Sequence, residues 1–278
     1  MKWQLRVSTL GLIQRFDHMS KPHQQHLHAA CAAAIFSIGV VGLPWIATGH
    51  AQEAAAEPDF SGVWLAFASS TPGATGPQGP GLSTAGQAVV DEFYGRYSDV
   101  PDPGSFCVAN GMPGVMLSIA GYPIEILQGG NRITMLAELE MQVRRIYIDG
   151  RRHPADYPTT GTGHSIGRWE AQTLIVDTVL LTEWSARPWP RSEQTRIEER
   201  IFLTKEAQID VPASAFITQQ PIDDDVLVVE LTLSDPDLYA GPQRRTIYYR
   251  KIVDTATLEY DCAAELWLRE LEKNRVSN

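Results

Sequence analysis

The chain has 278 residues, of which 44% are hydrophobic and 20% charged, so it can bury a sizeable core and is not wholly disordered. Its formal net charge is −10, and the sequence contains no cluster of Lys and Arg of the kind that binds nucleic-acid phosphates. A general nucleic-acid binder is thereby excluded, because neutralising phosphates requires clustered cations.

The first segment, residues 1–51, is predicted to be a secretory signal peptide rather than part of the fold. An almost uncharged apolar run covers 29–47, basic residues such as Lys2 and Arg15 precede it, and small residues lead to Ala51. This order is typical of an export signal with a cleavage site. An uncleaved membrane anchor is the alternative interpretation.

Cleavage after this segment predicts a periplasmic protein without stable membrane insertion. Residues 52–58 then form a linker, and 59–278 form a single β-rich domain; Met19 is an alternative start of the chain. Cys107 and Cys262 are the cysteines left after cleavage. An even number of cysteines in an oxidising compartment favours one disulfide between them.

The domain is expected to open with a short strand that turns Trp64 inward. A flexible loop follows, and the sequence T-x-x-Q at 84–87 then indicates a helix capped by Thr84 and ending near Ser98. Apolar residues at roughly helical spacing support this helix. They are Ala88, Val89, Phe93 and Tyr97.

Strand patterns dominate the remainder of the chain. Strands are predicted at 122–128, 132–140, 142–149, 173–181, 195–204, 225–233 and 246–253. Gly129-Gly130-Asn131 is a hairpin signal, and 263–271 resembles a short helix. About eight short strands without strand–helix alternation predict a mainly β fold, an antiparallel lipocalin-like barrel or a sandwich.

The richest polar segment is 144–170, which contains His153 and His164. His164 lies between glycines and is predicted to be a loop residue that acts as general base, because imidazole titrates near neutral pH. Strand alternation places Arg145 and Tyr147 on one face, which lines a polar pocket or is merely solvated.

The candidate catalytic residues are therefore His164, Tyr147, Arg145 and His153. His164 is expected to matter more than His153, because a proline beside His153 indicates a turn. The candidate substrate-binding residues are Trp169, Glu170, Tyr248 and Tyr249. After residue 51 the sequence has no HxH or HExxH motif and no phosphate-binding or dinucleotide-binding motif, so no metal and no cofactor are predicted. Gly-His-Ser at 163–165 is not interpreted as a nucleophile elbow.

Ordered motifs across most of the domain resemble a large family of secreted bacterial β-rich proteins. They read RRIYIDGRRHP at 144–154, GHSIGRWE at 163–170 and TLIVDT at 173–178, with EYDC at 259–262. Ala171-Gln172 stands where the family has Gly-Asp. The resemblance implies a secreted β-rich domain and assigns importance to the polar motif positions, Asp177, Glu199 and Arg200 among them.

A weaker analogy concerns activity. This exported, β-rich chain, with His, Tyr and Arg but no cofactor motif, is similar in kind to cofactor-free lyases that release formaldehyde from lignin-derived phenolic dimers. The sequence therefore predicts a cofactor-independent lyase or isomerase acting on a small hydrophobic or aromatic molecule. A periplasmic binding protein that holds a hydrophobic ligand without turnover is the alternative, and an envelope structural module is a third interpretation.

Overall fold

The computed structural model describes residues 56–69, 76–97, 108–117, 122–210, 221–252, 256–260, 265, 269 and 272–273. Nine strands follow one another around a closed barrel, and the first pairs with the last. The strands are β1 (Gly62–Ser69), β2 (Ile124–Gly129), β3 (Arg132–Ala137), β4 (Gln142–Tyr147), β5 (His164–Glu170), β6 (Thr173–Val179), β7 (Arg196–Lys205), β8 (Pro221–Ser234) and β9 (Gln243–Ile252). The predicted mainly β barrel is confirmed.

The strand that the sequence analysis missed is β5, which begins at His164. This residue was expected in a loop, because the glycines at 161, 163 and 167 suppress the strand pattern. Its strand also breaks the expected antiparallel order, since β4 and β5 are parallel. Parallel neighbours cannot be joined by a tight turn. Residues 148–163 therefore form a crossover from one end of the pair to the other.

The hairpin between β2 and β3 forms as predicted. Gly129 pairs with Arg132, and Gly130 has φ +58° in the intervening turn. A left-handed conformation at the centre of a two-residue hairpin loop favours glycine, because its lack of a Cβ removes the steric cost. The register set here carries through to β4, where Tyr147 lies opposite Arg132.

The barrel interior is filled by apolar side chains from the strands and from α2 (Gly114–Leu117). Met116 of α2 is fully buried in this core beside residues such as Trp64 and Ile133. Successive side chains of a strand point to opposite faces, and β6 follows this alternation: Leu174 and Val176 are inside the barrel and their neighbours are partly exposed. The core thus occupies the space in which a lipocalin holds its ligand.

The N-cap of helix α1 (Thr84–Arg96) lies one residue earlier than predicted. Ser83 is the N-cap, and its hydroxyl accepts a hydrogen bond of 2.9 Å from the Gly86 backbone N–H. Gly86 and Val90 are buried, whereas Ala88 and Val89 are exposed. Gly86 contacts the backbone of Leu238 so closely that an added Cβ would lie 2.0 Å from its carbonyl oxygen. This contact turns the helix away from the predicted face.

Replacing Ser83 by alanine is expected to lower the free energy of unfolding by about 1 kcal/mol, the usual effect of losing an N-cap. Thr84→Ala is the matched control and should change it by less than about 0.5 kcal/mol. Urea denaturation of both variants measures the difference. Equal losses would mean that Thr84 caps the helix after all.

Among the described residues, no helix is long and apolar enough to cross a bilayer. The predicted signal peptide, Cys107, Cys262 and most of 263–271 lie outside the described residues. The predicted disulfide and the export signal therefore remain predictions.

Candidate functional site

Two histidines meet on the outer face of the barrel. His164 begins β5 with 7% of its surface exposed, and His153 reaches it from the crossover. Their Nδ1 atoms are 2.8 Å apart, which is hydrogen-bond distance. The structure thus brings together two of the predicted catalytic residues, although they lie eleven positions apart in the sequence.

Asp177 of β6 extends this pair. One of its carboxylate oxygens, Oδ2, is 3.2 Å from Nε2 of His153. Arg196 of β7 donates hydrogen bonds to both oxygens of the same carboxylate, at 2.7 and 2.9 Å. A fork of this kind holds the carboxylate in one orientation. Asp177 therefore anchors His153, which in turn contacts His164.

The hydrogen bonds define the tautomer of each ring. An ionised Asp177 only accepts, so Nε2 of a neutral His153 carries the hydrogen and its Nδ1 is left unprotonated. That Nδ1 then accepts the hydrogen of His164 Nδ1. The lone pair of a neutral His164 consequently lies on Nε2. This atom has no hydrogen-bond partner among the described residues, and it is not among their buried polar atoms that lack one, so it is accessible to solvent. This is the form that a general base requires.

Aromatic rings surround the His164 imidazole. The Tyr147 ring stacks on it with centroids 5.3 Å apart, and the Tyr157 ring approaches edge-on at 5.8 Å. The Arg151 guanidinium lies 3.8 Å above the Tyr147 ring and is paired with Asp149. These contacts fix the imidazole between β4 and the crossover.

Burial lowers the pKa of His164 below its ordinary value of 6.5, and the positive charges of Arg151 and of His153, when it is protonated, act in the same direction. Desolvation disfavours the charged imidazolium, and neighbouring cations repel it. His164 is therefore neutral at neutral pH and can accept a proton.

A pocket of about 140 Å³ opens beside His164 on the outer wall. Its lining consists of Val143, Arg145, Tyr147, Tyr157, Thr160, Thr162, Gly163 and His164. The face of β4 that carries Arg145 and Tyr147 thus borders a pocket, and the pocket lies outside the barrel wall.

Gly163 is what allows the chain to enter β5 at this point. Its φ is +68°, and an added Cβ would lie 2.6 Å from the carbonyl oxygen of Val179. Both the left-handed backbone and the close approach exclude a larger residue without local displacement. The backbone conformation of Gly163 therefore sets the position at which His164 enters β5.

The opposite face of β4 carries a separate polar network inside the barrel. Arg144 is fully buried and forms a two-pronged ion pair with Glu199, with one contact at 3.0 Å. It also donates to Ser165 at 3.3 Å and to Thr178 at 3.1 Å. Residues adjacent in sequence, Arg144 and Arg145, thus serve the core and the pocket respectively.

The predicted substrate-binding residues lie away from the pocket. Trp169 packs against Phe60 at 5.3 Å, and exposed Glu170 is paired with Arg168. Tyr248 packs on Phe67 outside the barrel, whereas Tyr249 is inside and donates a hydrogen bond to the Met116 carbonyl. Adjacent strand residues point to opposite faces, so the two tyrosines cannot form one wall.

No group of three His, Cys, Asp or Glu side chains suited to a metal ion occurs among the described residues. Comparison of the chain with models of known protein families gives no match, and comparison with curated proteins gives none either. The family resemblance therefore stays a prediction, and the functional argument rests on the geometry around His164.

Proposed function

We propose that this protein is an exported, cofactor-independent lyase or isomerase that uses side-chain acid/base chemistry on a small, single-ring aromatic molecule. The observation that carries the proposal is the hydrogen-bonded series Asp177–His153–His164, whose last member lines the pocket. A histidine that lines a pocket, with Nδ1 held by a hydrogen bond and Nε2 left to accept a proton, is arranged as a general base.

In the proposed reaction, Nε2 of His164 takes a proton from the bound molecule. The hydrogen on its Nδ1 passes to Nδ1 of His153, which becomes an imidazolium beside the Asp177 carboxylate. The positive charge is then held by an ion pair, while Arg145 and the Tyr147 hydroxyl stabilise the anion that forms on the substrate. Reversal of these transfers returns the proton to another atom of the substrate, or to the fragment left after carbon–carbon cleavage.

The pocket lies against the barrel wall, and its volume of about 140 Å³ matches one ring rather than two. For comparison, a cavity of roughly 150 Å³ holds a benzene molecule. A phenolic dimer derived from lignin would place one ring in the pocket and its other ring outside. Formaldehyde release from a hydroxymethyl group remains the most specific form of the lyase proposal.

The test is incubation of the purified protein with single-ring and two-ring phenolic, hydroxymethyl and carbonyl compounds. Formaldehyde release reports a lyase, and exchange of a carbon-bound hydrogen with deuterated solvent reports an isomerase. Turnover that His164→Gln abolishes is the expected result. Binding of panel compounds without turnover or exchange would instead support the carrier alternative.

The pH dependence of kcat/KM follows from the lowered pKa of His164. The acidic fall in kcat/KM is expected to have its midpoint below pH 6.5, because the neutral base persists to lower pH than in a free histidine. A pH–rate profile at constant ionic strength measures this. A midpoint above 6.5 would assign the required base to another group.

A further inference from the structure

The pocket beside His164 has no acidic lining in a chain with a net charge of −10. Two acidic residues close to His153 and Tyr147 are paired with arginines, since Asp149 is bonded to Arg151 at 2.8 Å and Asp177 to Arg196. The polar groups that line the pocket are therefore one guanidinium, one imidazole and hydroxyl groups, although the whole chain is acidic.

Arg145 supplies the cation. Its side chain is exposed and lines the pocket, and it has no hydrogen-bond or ion-pair partner among the described residues. Two neighbouring arginines are already paired, Arg144 with Glu199 and Arg151 with Asp149. A guanidinium presents parallel N–H groups that match the two oxygens of a carboxylate. Arg145 is thus free to bind an anionic group of a ligand.

The remaining walls suit one flat ring. Tyr147 and Tyr157 contribute aromatic surface, and Val143 contributes an apolar edge. Thr160 and Thr162 use their hydroxyl hydrogens on the carbonyls of Gly163 and Val143, so each hydroxyl oxygen is left to accept. The pocket therefore combines one cation, aromatic walls and the base within a space of about 140 Å³.

We propose that the pocket binds small organic carboxylates of about one ring, with the carboxylate on Arg145 and the reacting atom next to Nε2 of His164. This inference rests on the proposed function only in placing the substrate at the same site. It specifies the chemistry of the ligand, an anion of benzoate size, and makes Arg145 the residue that selects for it.

The experiment titrates benzoate into the full chain at low ionic strength, with calorimetry for affinity and histidine NMR for location. Benzamide is the neutral control of the same shape. Benzoate is expected to bind at least about tenfold more tightly than benzamide and to shift the His153 and His164 resonances, because a charged hydrogen-bond pair replaces a neutral one. These resonances are identified by their loss in His153→Gln and His164→Gln.

Arg145→Gln should weaken benzoate binding by about tenfold or more, while Arg132→Gln, an exposed site on the adjacent strand, should leave it unchanged. Equal binding of benzoate and benzamide, an unaffected Arg145→Gln variant, or no benzoate binding up to about 10 mM would each overturn the inference. Because binding is measured without turnover, an inactive protein that still binds benzoate through Arg145 would refute the proposed activity alone. Turnover restricted to neutral compounds would refute the carboxylate alone.

Discussion

Replacing His164 by glutamine is expected to lower kcat/KM by about 10²–10⁴-fold, the usual contribution of a general acid or base. Glutamine has similar bulk but cannot take up a proton at neutral pH. His164 is 7% exposed and stacks on Tyr147, so truncation to alanine would also remove packing. Melting temperature measured beside activity separates the two effects.

His153→Gln and Asp177→Asn test the hydrogen-bonded series Asp177–His153–His164 at the two residues behind His164. Both are expected to lower activity by about tenfold or more, because the tautomer of His164 depends on the hydrogen bond that each maintains. His153 is still expected to matter less than His164, and its 2.8 Å contact with His164 is the reason it matters at all. Full activity in His164→Gln at an unchanged melting temperature would remove the proposed base.

Replacing Arg144 by methionine is expected to lower the free energy of unfolding by about 3–5 kcal/mol, the usual effect of leaving one member of a buried ion pair alone. Glu199 is 1% exposed and would lose its two-pronged partner. The hydroxyls of Ser165 and Thr178 would also lose a donor. Urea denaturation with a fixed buffer measures the loss.

The matched controls are a double variant and a neighbour. Arg144→Met combined with Glu199→Gln should be more stable than Arg144→Met, because no unpaired charge is left in the core. Arg145→Met changes an exposed residue on the other face and should alter stability by less than about 0.5 kcal/mol. A single Arg144→Met variant with that same small effect would show that the ion pair contributes nothing measurable.

The sequence could indicate which residues carry chemistry but not which face they occupy. Strand alternation correctly separated Arg144 from Arg145, since period two is a property of the extended backbone itself. It could not tell that Arg144 is the inner residue, because a charged side chain is ordinarily exposed. Burial of Arg144 becomes possible only through Glu199, which lies 55 residues away.

Asp177 illustrates the same limit at the site. It was singled out as a motif position, and nothing in its neighbourhood along the chain points to His153. The two meet because Asp177 lies opposite Ile166 in the β5–β6 register while the crossover passes over the same outer face. The position of Trp169 was not visible in the sequence for a similar reason, since it packs against the core beside Phe60 and not beside His164.

By itself, the sequence determined the β-rich class, the positions of most strands and the β2–β3 turn, because these depend on local periodicity and on glycine. Tertiary structure alone decided the closure of nine strands, the parallel pairing of β4 with β5 and the path of residues 148–163. The physical reason is that a parallel pair requires a long return connection, and here that connection runs across the outer wall. It carries His153 and Tyr157 onto His164, and so creates the site.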